Sequence, residues 1–116
     1  IVLLGATGGR SDHFLTNLLV VSTLPEGTKI ALDATDEIIR RATPVCSVSL
    51  IGMSGQTVSL LPLSRCDGVT TKGLRWELAD AAMGQGVLLG QSNQAVSEDV
   101  SVSLRSGNLF VITPKR

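Results

Sequence analysis

Short apolar stretches separated by turn-forming residues dominate the pattern of hydrophobic and polar positions. Residues 1–4 form a continuous apolar run, as in a strand that is buried on both faces. A glycine-rich turn follows, and apolar residues then repeat at helical spacing over residues 14–24, until Pro-Glu-Gly at 25–27 stops the helix. The first 26 residues therefore predict one βα unit.

From residue 27 onward the pattern changes to short β-type runs with Gly, Pro, Ser, Asn or Asp between them. Alternation is clearest in Val-Ser-Val-Ser-Leu at 100–104, which is typical of a strand with one buried face. Ser-Gly-Asn at 106–108 predicts a hairpin turn. Many short strands at this spacing favour a β-sandwich or barrel. The predicted strands are 29–33, 37–42, 45–51, 57–63, 69–71, 74–78, 87–90, 99–104 and 109–113.

We therefore expect a mainly β fold: an antiparallel β-sandwich in residues 27–116, preceded in residues 1–26 by the last strand and helix of a truncated α/β domain. The first strand has no predicted pairing partner within the chain. The sequence also begins without Met and directly in a strand-like run. We interpret this as a chain that starts partway through a larger fold.

Composition and charge exclude several classes of function. Hydrophobic residues make up 43% and charged residues 17%, which is typical of a globular chain. The net charge is zero, so no basic field attracts nucleic acid or an anionic membrane. The adjacent basic pairs at 40–41 and 115–116 are predicted to be solvated surface. No apolar run approaches the roughly 20 residues that span a bilayer.

Cys46 and Cys66 show neither a CxxC motif nor a nearby His cluster, so a zinc site is not expected. Both lie in apolar or β-rich surroundings. We expect buried free thiols in a reducing compartment, hence a cytoplasmic protein, with a disulfide as the alternative.

Three segments of the chain carry motifs that are informative together. Gly-Ala-Thr-Gly-Gly-Arg-Ser-Asp-His at 5–13, followed by Asn17, is similar to GxTGGRxDHxxxN. Val-Thr-Thr-Lys-Gly-Leu-Arg-Trp-Glu-Leu at 69–78 is similar to a TxxGLxW hairpin. Gly-Val-Leu-Leu-Gly-Gln-Ser-Asn at 86–93 is similar to GxxxSxSN, with Gly90 where Ser is more usual. In order and spacing the three segments resemble motifs of the thiamine pyrophosphokinase family, and the resemblance covers essentially all 116 residues.

The resemblance implies an α/β nucleotide-binding domain followed by a thiamine-binding β-sandwich, in a homodimer whose active site lies between the two subunits. It implies that Mg²⁺-bound ATP donates its β,γ-pyrophosphoryl group to thiamine, giving AMP and thiamine pyrophosphate. The family's aspartate-rich Mg²⁺ site would precede Ile1. We therefore expect this chain to be inactive on its own.

Candidate residues for the phosphate end of the site lie in the first motif. Gly8 and Gly9 leave backbone N–H groups free at a helix N-terminus, and Arg10 can form bidentate bonds to phosphate. On spacing alone these glycines merely turn the chain, but the resemblance implies ATP binding. Asp12 either caps the helix or, as the catalytic candidate, lies beside Mg²⁺ or the thiamine hydroxyl. His13 receives no role.

Candidate residues for the thiamine end lie in the other two motifs. Trp76 is a core or sheet-packing residue by default, but an indole face suits both the aminopyrimidine and the cationic thiazolium of thiamine, and the resemblance favours this contact. Ser92 and Asn93 either begin a turn or pair with the aminopyrimidine edge. Thr71 is a weaker candidate for the same pocket. We interpret three further charged residues as solvated sheet-face charges: Arg75, Glu77 and Arg105.

Two other functions remain open from the residues. The sandwich could be a non-catalytic module that binds a small ligand, since no acidic metal site is present in the chain. The strand–glycine–helix start could belong to a dinucleotide-binding fragment, although the β-rich remainder argues against this because such a fold continues as βαβ.

Overall fold

A computed structural model of the chain describes residues 2–4, 11–34, 36–84 and 90–115. Its elements are β1 (Val2–Leu4), α1 (Ser11–Ser22), β2 (Ala31–Asp33), β3 (Glu37–Ala42), β4 (Val48–Leu50), β5 (Thr57–Pro62), β6 (Cys66–Lys72), β7 (Ala81–Met83), β8 (Gly90–Gln94), β9 (Val100–Ser103) and β10 (Leu109–Pro114). The strands form a six-stranded sheet of order β1-β2-β3-β10-β5-β8 and a four-stranded sheet of order β4-β9-β6-β7. The mainly β fold is confirmed.

The alternation of side chains along β10 explains the layers. Leu109 and Val111 point into a core between the two sheets. Phe110, one position out of phase, lies on the opposite face in a second cluster with Leu18 and Val21 of α1. Since successive side chains of a strand point to opposite faces, one strand supplies both cores. The six-stranded sheet is therefore the middle layer, with the helix on one face and the four-stranded sheet on the other.

The first strand does have a pairing partner, so the expectation that it lacks one is wrong. Strand β1 pairs in parallel with β2, with Val2 opposite Ala31 and Leu4 opposite Asp33. Parallel pairing needs a crossover, and α1 supplies it. The sequence predicts a strand at 29–33, where β2 lies, but as part of the antiparallel sandwich, because a local pattern does not show which strands pair. The boundary between residues 26 and 27 stays a prediction, although the six-stranded sheet runs across it.

Arg41 corrects the prediction that the 40–41 pair is solvated. Its side chain is 2% exposed, and its guanidinium donates hydrogen bonds to four backbone carbonyls. Nη1 donates to Val21 (2.8 Å) and Leu24 (2.9 Å), and Nη2 to Pro25 (2.6 Å) and Thr28 (3.0 Å). The last carbonyls of a helix lack intrahelical partners, so a buried cation suits the end of α1.

Arg40, on the other face of β3, is only half-buried and donates one bond, from Nη1 to Thr113 Oγ1 (3.3 Å). At the second basic pair, Lys115 is exposed and forms an ion pair with Asp33. The other member, Arg116, lies outside the described residues.

The predicted strand at 74–78 is a loop, and β7 follows it where none was predicted. Two backbone conformations explain the interruption: Gly73 has φ +87° and Asp80 has φ +51°, both outside the β region. A Cβ on Gly73 would also lie 2.2 Å from the carbonyl oxygen of Asp99. Glycine is therefore required where β6 ends.

No helix within the described ranges has the length and apolar character needed to cross a bilayer.

Both cysteines are free; Cys66 is buried and Cys46 is half-buried. The single S–H hydrogen of Cys66 is shared between the carbonyls of Asn108 (3.2 Å) and Ser64 (3.4 Å). Burial, with a smaller contribution from the charge of Asp67, raises the pKa of this thiol to about 11. A thiol in the unfolded chain ionises near pH 8.5, so folding keeps Cys66 protonated between these two values.

We expect Cys66 to make the fold sensitive to alkali. The stabilisation that it contributes is complete below about pH 8.5 and is lost as the pH rises through 11, by about 3 kcal/mol in all. Urea unfolding at pH 8 and pH 10.5 measures the loss. Cys66→Ser, which keeps a donor but does not ionise, should lose clearly less stability over this interval. Equal losses in both proteins would contradict the assignment.

Candidate functional site

Trp76, the only tryptophan, lies in the loop 73–80 that joins β6 to β7. Its side chain is 58% exposed, so the default interpretation as a core residue is wrong. An exposed indole presents a large flat face that a ligand can contact. The loop lies where β8, at the edge of one sheet, approaches β6 and β7 of the other.

Asn93 holds the backbone of Trp76. Its Oδ1 accepts a hydrogen bond from the Trp76 N–H (3.2 Å), and its Nδ2 donates to the Trp76 carbonyl (2.9 Å). The same Oδ1 accepts from the N–H of Gln94 (2.8 Å). These contacts fix the orientation of the amide, since a flip would set donor against donor and acceptor against acceptor. Asn93 is 7% exposed, so this amide lies inside the fold.

The loop also pairs with the residues that follow Asn93. The N–H of Arg75 donates to the carbonyl of Gln94 (2.8 Å), and the N–H of Val96 donates to the carbonyl of Gly73 (2.9 Å). Between them, Leu74 and Ala95 form an isolated antiparallel bridge. The loop is therefore tied to the edge of the six-stranded sheet by backbone as well as by side chain.

On its other side the loop is tied to β6. Thr71 exchanges two hydrogen bonds with Leu78: its hydroxyl accepts from the Leu78 N–H (2.9 Å), and its own N–H donates to the Leu78 carbonyl (2.9 Å). The hydroxyl of Thr70 accepts from the N–H of Asp80 (3.1 Å). Thr71 is buried. Three predicted thiamine-end residues, Thr71, Trp76 and Asn93, are thus brought together, with Trp76 as the exposed member.

The charged residues around the loop have specific partners. The guanidinium carbon of Arg75 lies 5.0 Å from the centroid of the Trp76 ring, a cation–π contact between two exposed side chains. Glu77 accepts from the N–H of Gly73 (2.7 Å). Arg105 pairs with Asp80 through Nε and Oδ1 (2.8 Å), and both are exposed. All three predicted solvated charges are exposed, but they lie in loops and not on a sheet face.

The structure does not describe the side chains of the candidate residues for the phosphate end, nor that of Ser92. Gly8, Gly9 and Arg10 lie outside the described residues. Asp12 lies in the first turn of α1, and Ser92 lies in β8, but only their backbone is described. Within the described ranges, no three His, Cys, Asp or Glu side chains cluster as metal ligands. The described residues therefore do not supply a site for Mg²⁺.

A cleft of about 720 Å³ lies elsewhere, between β2 and β3 of one sheet and β4 of the other. Its lining includes Lys29, Ile38, Arg40, Ser49 and Ile51. No residue of the loop 73–80 lines it. The cleft and the exposed indole are therefore separate features.

Residues 41–109 match the family described as "Thiamin pyrophosphokinase, vitamin B1 binding domain". The matched range contains the loop 73–80 and the residues that hold it. The chain is also 31% identical over 120 residues to thiamine pyrophosphokinase 1 of Arabidopsis thaliana, covering 100% of this chain and 45% of that protein. Thiamine pyrophosphokinase 1 of rice (Oryza sativa subsp. japonica) is 29% identical over 126 residues, covering 97% and 44%.

Solved structures show the same fold. Thiamine pyrophosphokinase from Bacillus subtilis aligns with a TM-score of 0.83 and 25% identity, covering 100% of this chain and 55% of that one. Thiamin pyrophosphokinase from Candida albicans aligns with a TM-score of 0.80 and 18% identity, covering 99% and 44%. The chain thus spans about half the length of these relatives.

Proposed function

The chain belongs to the thiamine pyrophosphokinase family, and we propose that it supplies the thiamine-binding part of an enzyme that converts thiamine and ATP to thiamine pyrophosphate and AMP. The observation that supports this most is the exposed Trp76, in a loop that is held from both sides at the place where two motifs of the family resemblance meet. All of these residues lie within the range that matches the vitamin B1 binding domain.

Thiamine offers a flat aminopyrimidine and a cationic thiazolium, and Trp76 is suited to both. Its indole can stack on the first ring and attract the second, as the nearby guanidinium of Arg75 illustrates. We assign ligand contact to Trp76, with Ser92 at the aminopyrimidine edge. Thr71 and Asn93 border the same place, and their described hydrogen bonds go to the loop.

The phosphate end of the site belongs, in this proposal, to the first motif. Backbone N–H groups of Gly8 and Gly9 and the guanidinium of Arg10 would hold the ATP phosphates. Asp12 would orient the thiamine hydroxyl that attacks the β-phosphorus. Mg²⁺ would neutralise charge on the phosphates, and its ligands would come from outside the described residues.

The two ends of the proposed site correspond to two parts of the chain. Residues 27–116 would form the thiamine-binding sandwich, and residues 1–26 the last βα unit of the nucleotide-binding domain. We propose a homodimer in which the sandwich of one subunit faces the nucleotide domain of the other. The free thiols of Cys46 and Cys66 support a reducing, cytoplasmic environment.

The test of this function uses the longest translated protein that contains the sequence. Incubated with thiamine, ATP and Mg²⁺, it should form thiamine pyrophosphate and AMP in equal amounts, measured by chromatography. Titration of thiamine into the 116-residue chain should quench Trp76 fluorescence saturably, whereas an unrelated aromatic cation should not. A folded longer protein that forms no product, with no quenching in either protein, would overturn the proposal in favour of another ligand.

A further inference from the structure

We infer that Asn93 is a positioning residue, whose side-chain amide sets the direction in which the Trp76 indole is presented to the ligand. The inference rests on the proposed role of Trp76 in binding thiamine. It assigns to Asn93 a task other than contact with the aminopyrimidine edge, which was its predicted role.

Both polar groups of the Asn93 amide are engaged by the backbone of Trp76. One Asn side chain satisfies both the N–H and the carbonyl of one backbone residue, Trp76, at 3.2 and 2.9 Å. This reproduces the pair of bonds that a neighbouring strand would give. The acceptor atom is further occupied by the N–H of Gln94. Asn93 therefore has one Nδ2 hydrogen left and no free lone pair on Oδ1. It could donate one bond to an aminopyrimidine edge, but it could not also accept one.

The backbone of Asn93 is itself held in the six-stranded sheet. It lies in β8, where it pairs with Val58 of β5, and Val58 is fully buried in the core between the sheets. The indole, by contrast, is 58% exposed and has little packing of its own. The direction of its Cα–Cβ bond thus depends on its backbone, which Asn93 fixes to the sheet.

Among side chains of similar size and polarity, only Asn can make all of these hydrogen bonds from position 93. An Asp at 93 would keep the size and both acceptor bonds, but it would place a carboxylate oxygen against the Trp76 carbonyl that now receives the amide N–H. A Gln would push the same amide one methylene too far. Presenting a rigid aromatic group lowers the ordering cost of binding, so loss of this bond should weaken binding without removing any ligand contact.

The experiment compares Asn93→Asp with Gln94→Glu, the same chemical change one residue further along at an exposed position. Trp76 fluorescence anisotropy without ligand reports the motion of the indole, and calorimetry reports thiamine affinity. We expect Asn93→Asp to lower the anisotropy and weaken thiamine binding about two- to tenfold, and Gln94→Glu to change neither. Unchanged anisotropy in Asn93→Asp would overturn the inference, including the case where thiamine binding is lost and Asn93 is a direct contact.

Lower anisotropy in Asn93→Asp, in a wild-type protein that binds no thiamine, would support the positioning role while refuting the proposed function. Hydrogen exchange in the unmodified chain gives a second measurement that does not depend on the variant folding. Relative to intrinsic rates, the N–H of Trp76 should exchange at least about tenfold more slowly than that of Glu77, for which no acceptor is found in the described part of the chain. Equal protection of the two would overturn the inference.

Discussion

Replacing Arg41 with Met should lower the free energy of unfolding by about 3–5 kcal/mol. The substitution fills much of the same volume but removes the donors for four carbonyls at and after the end of α1. The carbonyls of Val21 and Pro25 each keep a backbone N–H donor. Those of Leu24 and Thr28 lose the donor that Arg41 supplies, and each buried acceptor left without a donor costs about 1–3 kcal/mol. The loss is a large fraction of the 5–15 kcal/mol typical of a domain.

Arg40→Met is the matched control for this prediction. Arg40 is the adjacent residue of the same strand, half-buried, with one hydrogen bond to a neutral hydroxyl. Its replacement should cost less than about 1 kcal/mol. Urea unfolding followed by circular dichroism measures both variants. Similar losses at 40 and 41 would show that the carbonyl contacts of Arg41 do not stabilise the fold as described.

Replacing Trp76 with Ala should weaken thiamine binding about 10- to 100-fold. Stacking of a heteroaromatic ring on an aromatic side chain contributes about 1–3 kcal/mol, and attraction of the thiazolium to the indole face adds to it. Since Trp76 is exposed and its described hydrogen bonds use only its backbone, the fold should be nearly unaffected. ATP binding by the longer protein should also be unchanged.

Calorimetry is the appropriate measurement, because the variant lacks the only tryptophan. Trp76→Phe should recover part of the affinity, since it restores a smaller aromatic face. If thiamine and ATP affinity fell together in Trp76→Ala, the cause would be a folding defect. If neither changed, the ligand would bind elsewhere.

The sequence predicted those parts of the fold that depend on local patterns. Alternation at 100–104 and the apolar run at 109–113 correspond to β9 and β10. The periodic residues up to the Pro-Glu-Gly at 25–27 correspond to α1, which ends at Ser22. Each of these signals is complete within one segment, so no knowledge of the rest of the chain was needed.

What the sequence could not predict depends on contacts between distant segments. Arg41 is buried because α1 ends beside it, and an Arg-Arg pair is more often surface. The loop at 74–78 carries a strand-like pattern, but Gly73 and Asp80 turn the backbone away. Ser-Asn at 92–93 resembles the start of a turn, and only the approach of β8 to the loop shows what Asn93 holds.

The position of β10 has a consequence for synthesis of the protein. This strand is formed by residues 109–114, yet it lies between β3 and β5 and pairs with both. A ribosome delivers β3 and β5 long before the strand that must separate them. The pairs β2–β3 and β5–β8 can form earlier, but the sheet cannot be completed until residue 114 has emerged. Pairings so distant in sequence fold slowly. A chain stalled before residue 109 would present two unpaired strand edges to other stalled chains, a direct route to aggregation.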